Sequence, residues 1–218
     1  MTKHILFDCD GVLIDTEIVA AEVVTNWLNS EGVDIDIETF ISDYTGKTFT
    51  DILEILKSKR LLASNIETKE AVIFMDEEIR RNMRPISGVD QMLANVPYTS
   101  SMVSNSAVDY VLEAIGLLKA DHIFEKRVFS AEMVRKGKPD PAVYLLALET
   151  LGLNKNEVIV VEDSVAGVTA SVAAGLKTLA FLGGSHVREG HAERLLACGA
   201  NEIIPDHKSL KSYFEQLF

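Results

Sequence analysis

The sequence predicts an α/β fold in which a parallel sheet is interrupted near its start by a helical insertion. Short apolar runs typical of strands alternate with helical segments from residue 85 onward. Another short apolar run, at residues 4–7, opens the chain, and strand signals then vanish between residues 16 and 84. Repeated strand–helix units favour a doubly wound parallel sheet, with a Rossmann-like arrangement of helices on both faces.

The predicted elements follow one another in a regular order. The first strand, at residues 4–7, ends in Asp8-Cys9-Asp10-Gly11, and helical periodicity follows at residues 17–29, 51–59 and 67–81. Further strands are predicted at residues 99–103, 128–129, 158–161, 178–181 and 202–204. Helices are predicted at residues 108–115, 142–151, 166–174 and 188–197, and from residue 209 onward.

These elements divide into two predicted domains. The chain has 218 residues, which is enough for one large domain or two modest ones. We predict that residues 1–15 and 85–218 form the α/β core. We predict that residues 16–84 form a small all-helical cap domain, inserted after the first strand.

The composition disfavours several kinds of partner. The chain carries 21 Lys and Arg residues against 33 Asp and Glu residues, a formal net charge of −12. Phosphate backbones and anionic membranes repel such a chain, so we expect neither a nucleic-acid nor a membrane partner. The start of the chain does not resemble a signal peptide, and no apolar run reaches the roughly 18 residues of a membrane span. Two cysteines are too few for a disulfide framework, which favours a reducing compartment. We therefore expect a cytoplasmic protein, and we expect it to be a monomer.

Acidic and polar side chains follow three of the predicted strands. They are Asp8 and Asp10 after the first, Ser104 and Asn105 after the second, and Glu162 and Asp163 after residues 158–161. Lys138 lies between the last two strands of this group, at the entry to a helix. Because ligands of open α/β sheets bind beyond the carboxyl ends of the strands, we expect these side chains to converge on one site.

Up to four carboxylates in one crevice require a counter-ion, because like charges raise one another's pKa. A hard divalent cation with oxygen ligands, Mg²⁺, meets this need, and Lys138 would neutralise more charge. Such a set suits phosphoryl transfer to and from a small phosphorylated metabolite. One carboxylate attacks phosphorus, the cations stabilise the equatorial oxygens, and a second carboxylate protonates the leaving oxygen and then activates water.

The same residues resemble the four signatures of the haloacid dehalogenase (HAD) superfamily. Asp8-x-Asp10-Gly11-Val12-Leu13-Ile14-Asp15-Thr16 is similar to the first signature, and Ser104-Asn105 to the second. Lys138 in Gly-Lys-Pro-Asp-Pro is similar to the third, and Glu162-Asp163-Ser164 to the fourth. The four occur in order, and the helical insertion is similar to the small cap of the superfamily.

The resemblance implies a role for each residue. Asp8 would be the nucleophile that forms an aspartyl-phosphate, and Asp10 the general acid and then the general base. Mg²⁺ would lie at Asp8, the backbone carbonyl of Asp10 and Asp163, with Glu162 in or next to its coordination sphere. Phosphate oxygens would be held by Ser104 and the amide of Asn105, and Lys138 would tie the phosphate to Asp8.

The resemblance also narrows the reaction. Members that cleave carbon–halogen or carbon–phosphorus bonds lack an acid at the position of Asp10, so both activities are disfavoured. β-Phosphoglucomutase shares the Asp-Gly-Val-x-x-Asp-Thr stretch, but it carries a histidine where this chain has Ala20. We therefore expect a Mg²⁺-dependent phosphatase acting on sugar phosphates or phosphorylated sugar acids. The alternatives are a β-phosphoglucomutase-like isomerase and, disfavoured by the intact motifs, a phosphate-binding module without turnover.

Residues outside the four signatures receive other predictions. The turn that contains Gly46 and Lys47 is where similar enzymes present a specificity loop, and Lys47 could meet a second anionic group or hydroxyls. Asp15 is predicted to hold the loop that leads to the cap. His186 and His191 are too sparse for a zinc site, and we expect them in a solvated loop rather than in a ligand role.

Overall fold

The structure is a computed structural model that describes residues 2, 4–44, 48–96, 99–124 and 127–217. The chain divides into two compact units. One is made of Met1–Asp15 and Arg84–Phe218, and the other of Thr16–Met83. The first unit carries the sheet, and the second is helical.

The second unit has four helices within its described residues: α1 (Thr16–Ser30), α2 (Ile37–Tyr44), α3 (Phe49–Ser58) and α4 (Thr68–Arg81). Their apolar faces enclose a core that includes Leu28, Leu53 and Met75. Helix α2 was not predicted, because its 8 residues are too short for a clear period. Its start depends on a local contact, in which the Asp36 carboxylate accepts the Thr39 N–H at 2.8 Å.

A parallel sheet forms the centre of the first unit. Among the described residues its strands are β1 (His4–Phe7), β2 (Thr99–Ser104), β3 (Val128–Ser130), β4 (Val158–Glu162), β5 (Lys177–Phe181) and β6 (Glu202–Ile204). The strand order is β3-β2-β1-β4-β5-β6, with parallel pairing throughout. The predicted parallel sheet is confirmed. The order reverses between β1 and β4, which is where doubly wound sheets bind their ligands.

Helices cover both faces of this sheet. They are α5 (Val89–Leu93), α6 (Val108–Leu117), α7 (Asp121–Phe124), α8 (Ala142–Leu151), α9 (Val165–Ala173), α10 (His191–Ala197) and α11 (His207–Glu215). Leu6 of β1 packs in a cluster with Tyr144 of α8 and Ala170 of α9. The neighbouring Phe7 makes edge contacts with rings in α7 and α11. Because successive strand residues point to opposite faces, β1 is buried on both sides, and three of its residues in succession, Ile5 to Phe7, are apolar.

Two details of the helices differ from the prediction. The short helices α5 and α7, of 5 and 4 residues, were not predicted, because they hold too few residues to show a period. Helix α10 begins at His191 rather than at residue 188, because Gly190 before it adopts a φ of +79°, which a helix cannot contain. None of the helices in the described ranges has the length and apolar character that a membrane span needs.

Candidate active site

The carboxyl ends of β1, β2 and β4 meet at the buried ammonium group of Lys138. Its Nζ donates to Asp8 Oδ1 at 2.7 Å, to Glu162 Oε1 at 2.6 Å and to the Val103 carbonyl oxygen at 2.7 Å. These acceptors use the three donors of an ammonium group. The structure thus joins predicted site residues from three separate segments of the chain.

The backbone of Lys138 is held by the side chain of Asn105. Asn105 Oδ1 accepts the Lys138 N–H at 2.8 Å, and Asn105 Nδ2 donates to the Lys138 carbonyl oxygen at 3.0 Å. A Cβ atom at Gly137 would lie 2.5 Å from Asn105 Oδ1, so the position before the lysine requires glycine. The side chain of Asn105 therefore positions Lys138, which sequence reasoning did not foresee.

Glu162 is completely buried and accepts hydrogen bonds on both oxygens. Its Oε1 accepts from Lys138 Nζ and, at 3.1 Å, from the Tyr144 hydroxyl. Its Oε2 accepts from the Asp163 N–H at 3.0 Å and from the N–H and hydroxyl of Ser164, each at 3.1 Å. These donors compensate the cost of burying the charge. Glu162 is therefore built into the protein as a fixed acceptor for the lysine.

Helix α9 begins directly beside this carboxylate. Ser164 Oγ accepts the Gly167 N–H at 2.9 Å, which makes Ser164 the N-cap of the helix. A Cβ atom at Gly167 would lie 1.7 Å from Glu162 Oε1. Glycine at this position is what lets the first turn of α9 approach Glu162.

Asp8, Glu162 and Asp163 form a buried acidic cluster that fits a hard cation. Each offers a carboxylate oxygen, and these oxygens lie within 4.8 Å of one another. Three hard oxygen donors at such spacing are the ligand type that Mg²⁺ prefers. A Cβ atom at Gly11, whose φ is +74°, would lie 1.8 Å from Asp163 Oδ2. Glycine in the turn after β1 therefore leaves room for the Asp163 carboxylate.

The half-buried carboxylate of Asp10 lies against two serines that follow or end β2. Asp10 Oδ2 accepts from Ser106 Oγ at 2.6 Å and is 3.4 Å from Ser104 Oγ. The Ser106 N–H also donates to Ser104 Oγ at 3.0 Å. Ser106 was not predicted as a site residue. Its place as the next residue after Ser104-Asn105 was the signal that could have identified it.

Burial and mutual charge shift the pKa values in the site. Burial raises the pKa of Asp8 well above its usual range, and the Glu162 carboxylate raises it further, although Lys138 partly opposes them. Burial alone would lower the pKa of Lys138, but the charges of Asp8 and Glu162 outweigh it and raise that pKa. Lys138 therefore stays positively charged, and further positive charge beside Asp8 would favour its ionised form.

The structure corrects the prediction for the two histidines. His186 Nε2 lies 3.2 Å from Asp163 Oδ2, and His191 Nε2 donates to the Asp163 backbone carbonyl at 2.6 Å. Both side chains are partly buried at the acidic cluster rather than in a solvated loop, and burial lowers the pKa of His191. The missed signal was their position after β5, whose carboxyl end lies at the same edge of the sheet.

Asp15 anchors the segment that carries His186. Its carboxylate accepts the Ser185 N–H at 3.0 Å and the Ser185 hydroxyl. Its own N–H donates to the Arg84 carbonyl oxygen at 2.9 Å, which joins the two segments of the first unit. The prediction that Asp15 acts structurally is confirmed. Gly46 and Lys47, predicted as specificity residues, lie outside the described residues.

Comparison with known proteins shows that the chain is similar to phosphatases. The model of the family described as haloacid dehalogenase-like hydrolase matches residues 5–181. The chain is 26% identical over 190 residues to 6-phosphogluconate phosphatase of Escherichia coli, and the match covers 84% of each chain. It is 27% identical over 228 residues to a phosphorylated carbohydrates phosphatase of Thermotoga maritima, covering 99% of this chain and 100% of that protein.

A solved structure shares the fold over the whole chain. It is a haloacid dehalogenase-like protein of unknown function from Agrobacterium tumefaciens, with a TM-score of 0.85 and 29% sequence identity. The superposition covers 100% of this chain and 99% of the other. The fold of this chain is thus a known architecture.

Proposed function

The chain belongs to the haloacid dehalogenase-like hydrolase family, and on that premise we propose that it is a phosphatase of phosphorylated sugars and phosphorylated sugar acids. The contact of Lys138 with Asp8 and Glu162, beside Asp163, carries the proposal. It puts a nucleophile, a fixed cation and further carboxylates at one point. The relatives named as phosphatases of 6-phosphogluconate and of phosphorylated carbohydrates support the substrate class.

The proposed reaction has two displacements at phosphorus. A carboxylate oxygen of Asp8 forms a bond to phosphorus while the bond to the sugar oxygen breaks, and Asp10 gives its proton to that oxygen. Asp10 then takes a proton from water, whose oxygen attacks the phosphorus of the aspartyl-phosphate. Inorganic phosphate leaves and the Asp8 carboxylate is restored.

The other residues hold the phosphoryl group in place. The ammonium of Lys138 balances the negative charge that Asp8 and the phosphoryl oxygens share in each transition state. The Ser104 hydroxyl and the backbone N–H of Asn105 contact phosphoryl oxygens, while the Asn105 side chain keeps Lys138 in position. Glu162, whose oxygens already accept protein hydrogen bonds, serves to orient Lys138 at the edge of the cation site.

Mg²⁺ is the cofactor that we propose for the acidic cluster. Asp8, Asp163 and the backbone carbonyl of Asp10 would hold it, with Glu162 beside them. When bound, Mg²⁺ supplies positive charge to the phosphoryl oxygens and to Asp8. The proposal is supported by the geometry of the cluster, in which carboxylate oxygens of Asp8, Glu162 and Asp163 lie within 4.8 Å of one another.

Substrate choice is assigned to the helical unit, Thr16–Met83. We propose that it acts as a cap and that Lys47 meets a second anionic group or hydroxyls of the sugar. Hydrolysis is favoured over isomerisation because Ala20 cannot carry a proton at the position where the mutase has a histidine.

The test is phosphate release from a panel of sugar phosphates and phosphorylated sugar acids, 6-phosphogluconate included, with Mg²⁺ present. We expect release with the native protein and with the exposed control Asp121→Asn, and none with Asp8→Asn. Conversion of β-glucose 1-phosphate to the 6-phosphate without release would favour the mutase. Near-normal release by Asp8→Asn, or silence of the native protein across the panel, would overturn the proposal.

A further inference from the structure

We propose that His186 is a positioning residue that orients the Asp163 carboxylate for cation binding, with His191 fixing the backbone of the same residue. This inference rests on the proposed function, because it assigns Asp163 to the Mg²⁺ site. It adds to the four motifs a fifth segment of chain, the loop between β5 and α10. The relevant contacts all lie within the sheet-bearing unit.

The loop that carries His186 is fixed to the turn after β1, and this contact determines the position of His186. Asp15 accepts hydrogen bonds from the N–H and the hydroxyl of Ser185, the residue next to His186. A Cβ atom at Gly184 would lie 3.0 Å from the Gly11 carbonyl oxygen. Loop and turn therefore pack backbone against backbone, and this packing sets the direction in which His186 leaves the chain.

His186 then reaches the acidic cluster from the side of the turn. Its Nε2 lies 3.2 Å from Asp163 Oδ2, and the imidazole Cε1 would lie 3.0 Å from a Cβ at Gly11. The side chains of His186 and Asp163 are 16% and 5% exposed. Water competes poorly for a contact at this depth, so the imidazole N–H constrains the carboxylate more than a surface group would.

His191 completes the arrangement at the backbone. Its Nε2–H donates to the Asp163 carbonyl at 2.6 Å, and Arg194 lies 3.1 Å from its Nδ1. An arginine can only donate, which fixes the tautomer of His191 with the proton on Nε2. The rings of His186 and His191 meet edge to face, with centroids 5.7 Å apart. Each histidine thus supports the other as well as Asp163.

The physical effect is a reduction in the freedom of a ligand. A contact to one carboxylate oxygen fixes the side-chain torsions and with them the direction of the other oxygen. Less conformational entropy is then lost when a cation binds. Partners of this kind behind metal ligands typically change metal affinity by about 10–100-fold.

The test measures Mg²⁺ binding to the metal-free protein by calorimetric titration, and the rise of the thermal midpoint with Mg²⁺ concentration. We expect His186→Ala to weaken Mg²⁺ binding by about 10–100-fold. His186→Gln keeps an N–H donor near the position of Nε2, and we expect it to restore binding to within a few-fold. The exposed His122→Ala serves as the control and should bind as the native protein does.

Kinetics give a second readout. We expect His186→Ala to raise the Mg²⁺ concentration needed for half-maximal phosphate release, while kcat at saturating Mg²⁺ and KM for the sugar phosphate change little. If His186→Ala binds Mg²⁺ like the native protein, or if His186→Gln fails as badly as alanine, the inference is wrong. If the native protein binds no Mg²⁺, both the proposed cofactor and this inference are wrong. If the native protein releases phosphate and His186→Ala binds Mg²⁺ normally, this inference is wrong but the proposed function stands.

Discussion

Lys138 Nζ lies 2.7 Å from Asp8 Oδ1, although 130 residues separate the two in the chain. The same ammonium contacts Glu162 at 2.6 Å, so one cation contacts two buried carboxylates. This group is therefore expected to matter for stability as well as for turnover, and the two effects can be measured separately.

Lys138→Met removes the charge but keeps much of the side-chain volume. Asp8 and Glu162 are then left buried without their cation, and we expect the free energy of unfolding to fall by about 3–5 kcal/mol. Phosphate release should fall by about 100–1,000-fold. Urea unfolding and a phosphate assay check the two effects, with the exposed Lys208→Met as control. A variant as stable as the native protein would show that the pair contributes no net stability.

Asp10→Asn keeps the hydrogen-bond partners of the side chain but cannot transfer a proton. We expect phosphate release to fall by about 100–10,000-fold, the range for loss of a general acid and base. The fold should remain, because Ser106 Oγ can still donate to the amide oxygen at the position of Oδ2. Steady-state and single-turnover assays check this, and a full burst of sugar product would contradict the acid role of Asp10.

Tyr144→Phe tests how the lysine is held. The hydroxyl donates to Glu162 Oε1 at 3.1 Å and the ring lies 5.2 Å from Lys138 Nζ. Loss of the hydroxyl alone should lower the free energy of unfolding by about 1 kcal/mol. Turnover should fall about fivefold, the rate equivalent of a similar energy. Tyr213→Phe is the matched control, and turnover equal to that control would remove Tyr144 from the positioning of Lys138.

Lys47→Ala tests the predicted specificity turn. If Lys47 meets a second charge or hydroxyls of the substrate, kcat/KM for a phosphorylated sugar acid should fall by about 10-fold or more, as loss of one charged contact implies. The value for a small generic phosphate ester should hardly change. Parallel assays on both substrates check this, and Lys59→Ala is the control. Equal losses on every ester would move Lys47 out of a specificity role.

His4→Gln tests a pH effect away from the proposed metal ligands. His4 Nε2 lies 2.8 Å from Ser101 Oγ, and burial, with a smaller effect of Arg127, lowers the His4 pKa from 6.5 to about 4. In the unfolded chain the imidazole of His4 takes up a proton near pH 6.5, whereas in the folded chain it does so near pH 4. The native protein therefore loses stability as the pH falls through this window.

Glutamine keeps a polar partner for Ser101 but does not titrate. Between pH 7 and pH 5 we expect His4→Gln to lose about 1–2 kcal/mol less unfolding free energy than the native protein. Urea unfolding at both values checks this. An identical loss of unfolding free energy in the two proteins would mean that His4 is protonated as readily in the folded state as in the unfolded state. The control His122→Gln should lose as much unfolding free energy as the native protein does.

The residues that the sequence could predict are those placed by strand topology. Asp8, Lys138 and Glu162 meet because parallel strands bring their carboxyl ends to one edge, and Asp15 was correctly predicted as structural. Tyr144 and His186 escaped prediction for a different reason. Tyr144 has the spacing of an ordinary core residue, and only the packing of α8 reveals its hydroxyl contact. The reach of His186 depends on the path of a loop that no periodicity describes.

The pairing of the first strand has a consequence for how the chain folds during its synthesis on the ribosome. His4 pairs with Thr99 on one side and with Val158 on the other. During synthesis β1 therefore cannot pair with β2 and β4 until those later segments have emerged from the ribosome. Such non-local pairing slows folding. The helices of residues 16–83 contact near neighbours and face no such delay. Nascent chains halted before residue 158 would expose the unpaired edge of an apolar strand, and we expect them to be prone to aggregation.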